Sequence, residues 1–121
     1  MNPTRILRLE ALLLLAGLFV LYWWLHASWI LFVALILAPD TAMLGYLRDT
    51  RIGALCYNAF HSYVGPVLLG AAAVFSRPLL PFAVIWAAHI AMDRALGYGL
   101  KYDDSFQHTH LGTIGRSATR T

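Results

Sequence analysis

Four apolar blocks, at about residues 9–25, 28–47, 53–75 and 79–98, constrain this chain more than anything else in it. Crossing a hydrocarbon layer of roughly 30 Å takes about twenty apolar residues in helical form. No water is present there to satisfy the backbone, so a short apolar run closes its hydrogen bonds on itself as a helix. Only 12% of the 121 residues are charged, against about 25% in a soluble domain. The spans leave no room for a separate soluble unit. The expectation is a single all-α membrane domain over 1–121, a bundle of four transmembrane helices with a polar tail at 99–121.

The net charge of +3 comes from basic residues scattered in pairs between the blocks, without the stripe that nucleic-acid binding needs. They read as topology signals. With the N-terminus inside, Arg5, Arg8, Arg48, Arg51, Arg94, Lys101, Arg116 and Arg120 fall on the inner side and Arg77 alone on the outer side. That asymmetry predicts that both termini are cytoplasmic. Arg5 and Arg8 before the first block also resemble a signal peptide, but Glu10 inside the run and Trp23-Trp24 at its end argue for a retained helix. Cys56 is the one cysteine, so an intrachain disulfide is excluded. Pro39 and Asp40 interrupt the second block, which predicts a helix kinked at Pro39 with space for a polar side chain beside it.

Ionisable residues within membrane segments are costly and mark function by default. Counted along each helix at 1.5 Å per residue, Asp40, His61 and His89 all lie roughly 10–14 Å from the inner ends of their spans. Asp93 is one turn nearer the cytoplasm than His89 and shares its helical face. Glu10 sits near the inner end of the first helix. Carboxylates and imidazoles brought together from facing helices are how bundle cores hold transition metals. The expected ligands are Asp40, His61, His89 and Asp93, with Glu10, His108 and His110 as additional donors and zinc, iron or manganese as the metal. His108 and His110 can face one ion together only on extended chain.

A purely structural network is the competing reading: Asp40 accepting from His61 or Tyr57, Asp93 paired with Arg94 or Arg48, and His89 bonded to a carbonyl freed by Pro39. Haem between His61 and His89 is a further alternative, visible at once as a Soret band. A proton pathway ranks last, because only His26 and Arg77 continue toward the outer leaflet.

LRLEALLLL, LAPDTAMLGYL, YNAFHSYVGP and AHIAMDRALGYGLKYDDSFQHTHLGTIGR together resemble a family of small bacterial membrane proteins catalogued only as a domain of unknown function. The resemblance covers about residues 6–116 and implies a four-helix membrane protein, with no established activity; the expected location is the cell inner membrane. A weaker similarity is to membrane-bound metal-dependent hydrolases, through Pro39-Asp40 and Thr109-His110. Here the arginine follows Asp93 rather than a histidine, and Thr41 and Ala42 stand where a second acidic residue is expected.

Two functions follow as expectations. One is a metal-dependent membrane enzyme, a hydrolase of a lipid or amphiphile, with Arg94 and Lys101 holding a headgroup. The other is a non-catalytic accessory or binding subunit, as a homo-oligomer or within a larger membrane complex, whose polar cluster is structural. The expected partner is membrane lipid rather than nucleic acid.

Overall fold

A computed structural model describes residues 2–99, together with the backbone of 108–109 and 112–113. Every element within 2–99 is helical: α1 (Pro3–Trp24), α2 (Trp29–Leu35), a 3₁₀ segment (Ala38–Leu47), α3 (Thr50–His61), α4 (Val64–Ala72), a 3₁₀ turn (Arg77–Leu79) and α5 (Leu80–Leu96). Two short strands, β1 (His108–Thr109) and β2 (Gly112–Thr113), pair antiparallel in the tail.

Local chemistry explains most of the boundaries. α1 begins six residues before the apolar block, because Asn2 caps it by accepting from Arg5 N–H at 2.9 Å and Pro3 takes the first turn. Ser28 caps α2 and Asp49 caps α3 in the same way. α5 stops at Gly97, whose φ of 95° is the left-handed conformation that glycine adopts most readily.

Two prolines set the remaining ends. Proline has no N–H, and its ring excludes the carbonyl of the residue four earlier from a helical position. For Pro39 that residue is Leu35, the last of α2; for Pro66 it is Ser62, the extended residue between α3 and α4. After Pro39 the bonding tightens to 3₁₀, with Asp40 N–H donating to Leu37 O at 3.0 Å. The expected helix at 28–47 is therefore α-helical only as far as Leu35, and the segment expected at 53–75 is two short helices.

Three elements among the described residues are long and apolar enough to cross a membrane: Pro3–Trp24, Trp29–Leu47 and Arg77–Leu96. Their outer faces suit hydrocarbon, with Ile30 84% and Leu47 85% exposed. A soluble monomer does not tolerate apolar surface on this scale. α5 lies at the centre against α1 and α4, with Ala88, Ile90 and Ala91 fully buried. Of Ala87, Ala91 and Ala95, spaced four apart on α5, only Ala91 is completely covered. At the other end, Tyr22 packs edge-on against Trp29 and Phe32, and its hydroxyl donates to Ser28 O at 2.5 Å across the α1–α2 turn.

The 3₁₀ segment packs against α3 through a close approach at Gly53, where a Cβ would fall 2.2 Å from Cγ of Tyr46. The whole Tyr46 ring would have to shift to admit it. Gly53→Ala is expected to lower stability by about 1–3 kcal/mol in thermal unfolding of the detergent-solubilised protein. Gly17→Ala, which meets nothing within 4 Å, serves as the control and should be neutral or stabilising by up to about 1 kcal/mol. Equal behaviour of the two variants would contradict this packing.

Candidate metal centre

Each element break delivers one side of a shared polar centre. Asp40 follows Pro39 in the first turn of the 3₁₀ segment, His61 is the last residue of α3, and His89 and Asp93 lie one turn apart on α5. His61 and His89 are fully buried, the Asp93 side chain is 12% exposed and that of Asp40 is 34% exposed. Among the described residues, the centre is most accessible at Asp40.

The orientation of both imidazoles follows from the backbone. An α-helical Asp40 would donate to Ile36 O; the switch to 3₁₀ bonding frees that carbonyl. His89 Nδ1 lies 2.5 Å from it. His61 Nδ1 lies 2.9 Å from Tyr57 O, with the Tyr57 ring stacked on the imidazole at 3.8 Å. A carbonyl only accepts, so in both rings Nδ1 carries the proton and donates. In the neutral rings this leaves Nε2 of each as an acceptor facing the centre.

Four acceptor atoms therefore converge. His61 Nε2 is 3.0 Å from His89 Nε2, 3.1 Å from Asp40 Oδ1 and 3.4 Å from Asp93 Oδ2. His89 Nε2 is 3.1 Å from Asp40 Oδ1 and 3.3 Å from Asp93 Oδ2. No two donor atoms of the four residues are more than 4.8 Å apart. A tetrahedral ion with bonds of about 2.0–2.2 Å separates its ligands by about 3.3–3.6 Å. The cluster is thus of metal-binding size, and each histidine makes the outer bond to a carbonyl that metal-bound histidines usually make. A bis-histidine haem needs a porphyrin plane between the imidazoles, and the Asp40 and Asp93 carboxylates take that space.

The other sequence candidates separate clearly. Glu10 is exposed on α1 and does not join the cluster. Lys101 and His110 lie outside the described residues, and of His108 only the backbone is described. Arg94 is buried rather than offered at a surface: it donates to His61 O at 2.6 Å and to Tyr98 O at 3.0 Å. That first bond ties the end of α3, and with it His61, to α5. Arg8 reaches Ala95 O at 3.0 Å and satisfies a second carbonyl at the end of α5. Neither arginine contact follows from helix spacing alone. The available signal was the pairing of a helix end at His61 with a cation one residue beyond Asp93.

A helical protein with membrane-crossing elements and a buried His/Asp centre is the class that fold and site define. Residues 4–114 match the family described as Domain of unknown function (DUF4260). The chain belongs to that family. Comparison with curated proteins and with solved structures found no match. The similarity to membrane-bound hydrolases accordingly rests on Pro39-Asp40 and Thr109-His110 alone.

Replacing Arg94 leaves the carbonyl of His61 without its buried donor, a loss of about 1–3 kcal/mol. Arg94→Met is expected to show it as a lowered unfolding temperature. Arg94→Lys should recover only part of the loss, because one ammonium does not reproduce a planar fork spanning two carbonyls. Full recovery with lysine would show that charge alone, not the two-point clamp, is what matters.

Proposed function

We propose that Asp40, His61, His89 and Asp93 hold a divalent transition metal (zinc, iron or manganese) and that the protein is a metal-dependent membrane enzyme, a hydrolase of a lipid or amphiphile. The observation that carries the reading is the convergence of two imidazole nitrogens and two carboxylate oxygens, with both Nδ1 atoms already committed to carbonyls. Two neutral Nε2 lone pairs at 3.0 Å repel each other unless a cation lies between them. A bound divalent ion lowers the pKa of a coordinated water toward neutrality. Water would then add to an ester or amide carbonyl, the bond to the alcohol or amine would break, and the proton would go to that leaving group. Asp40, the accessible ligand, marks the side from which water and substrate would enter.

The same reading places the chain as one domain in a cell inner membrane, with both termini cytoplasmic and α3 and α4 as a fourth, interrupted crossing. A broken helix is tolerated at membrane depth where its freed polar groups are satisfied within the protein. Arg94 does this for His61 O.

A second reading is favoured by Arg94 itself. One proton shared between His61 and His89, together with the buried guanidinium, would balance both carboxylates without a metal. The cluster would then fix helix packing in an accessory or binding subunit.

Elemental analysis of purified protein separates the two. The metal reading expects about one equivalent of zinc, iron or manganese, reduced at least about tenfold in His89→Ala and Asp93→Ala. Protons compete with the ion for Nε2, so occupancy should fall as the pH is lowered, and a chelator should lower the unfolding temperature. Protein without stoichiometric metal, and indifferent to chelator, would establish the shared-proton network instead.

A further inference from the structure

An apolar cavity of about 430 Å³ adjoins the metal-site residues, within the size range of small-molecule sites. Three of its lining elements are the ones that carry the cluster. Pro39 and Thr41 flank Asp40 in sequence, Phe60 precedes His61, and Ile85 is one turn before His89 on α5. Phe60 and Phe82 on its wall are 46% and 41% exposed, so the cavity communicates with the apolar outer surface. Only two lining residues carry a polar side-chain group, and both groups are committed. The Thr41 hydroxyl donates to Ala38 O at 2.8 Å, and Trp86 Nε1 donates to Phe60 O at 2.7 Å. The walls described by these residues have no side-chain group left to orient a headgroup.

Resting on the metal reading above, we propose that this cavity binds a single acyl chain of an amphiphile whose polar linkage sits at Asp40. A saturated chain needs no hydrogen bonds, and an apolar cavity reached from hydrocarbon selects it over water or a polar ligand. Asp40 is also the most exposed of the four cluster residues. Asp40 does not itself line the cavity, but it stands between Pro39 and Thr41, which do, so the polar end of a chain seated there has the cluster as its neighbour across that stretch. The substrate class is thus a single-chain ester or amide, or one chain of a membrane lipid, with the chain bound on the Leu69 and Trp86 side and the reacting carbonyl beside Asp40.

The test uses the full chain in detergent, with Co²⁺ as the metal and dodecanoate as a product-like probe. Acetate supplies the same carboxylate without the chain. Dodecanoate is expected to perturb the visible bands of bound Co²⁺ at a concentration at least about tenfold below acetate, the difference being chain burial. Native mass spectrometry should show one dodecanoate retained. Leu69→Trp, which fills the cavity away from the ligands, should abolish retention and raise the half-saturation to that of acetate; unchanged Co²⁺ loading would show that the variant is folded. Equal potency of acetate and dodecanoate, or wild-type retention in Leu69→Trp at any Co²⁺ loading, overturns the proposal. Failure of Co²⁺ to bind while Leu69→Trp still abolishes retention overturns the metal reading, leaving the cavity as a chain-binding site. If Leu69→Trp loses its Co²⁺ along with the chain, Ile85→Trp fills the same cavity from α5 and must abolish retention at full loading, or the proposal falls.

Discussion

Helix interruption is the constraint on which the centre depends. An unbroken α-helix commits every interior carbonyl to its own ladder, so a side chain arriving from another element finds at most a shared one. Pro39 ends α2 at Leu35 and tightens the following turns, which frees Ile36 O for His89. Pro66 ends the helical run at Ser62, which leaves His61 at a helix terminus with its carbonyl available to Arg94. The same two breaks put Asp40 and His61 at the ends of their elements, where a side chain can turn inward. Removing either interruption would return those carbonyls to helical bonds and separate the donors.

Surroundings of low polarity raise the consequence of this arrangement. Two carboxylates and two imidazole acceptors within 4.8 Å of one another are strongly coupled when little water reaches them. Such a group must be held by something positive, whether an ion or a shared proton, and the protein around it is built to keep it in place. Tyr57 stacks on His61, the peptide groups orient both rings, and Arg94 ties α3 to α5. The rest of α5 is packed through small and aliphatic residues, so the helix carrying two of the four donors is also the most enclosed. Access is left at one edge, beside Asp40 and the apolar cavity.

The membrane-crossing character of three elements was legible from apolar length alone. The grouping of Asp40, His61, His89 and Asp93 was legible from depth, because three positions counted from helix ends fell in one layer and the fourth lay a turn away on the same face as His89. Depth says nothing of rotation about a helix axis, and here rotation happens to agree. Glu10 met the depth criterion loosely and failed on facing, since it lies on an exposed side of α1. Arg94 sits next to an inward residue and was read as a surface cation; the turn of the helix instead carries it inward toward the end of α3.

What the sequence determined by itself was the apolar, membrane-crossing character of its segments, the helical class and the residue types available to a centre. These depend on composition and on neighbours within about four positions, where covalent geometry dominates. Only the tertiary structure decided which carbonyls each imidazole uses, that both Nε2 atoms point at two carboxylates, that Arg94 serves the backbone, and that an apolar cavity adjoins Asp40. The decisive contacts among these, His89 to Ile36 O, both imidazoles to Asp40 and Arg94 to His61 O, join atoms more than twenty residues apart. The positions of those breaks are written in Pro39 and Pro66, but the direction the chain takes after them is settled by packing against α5.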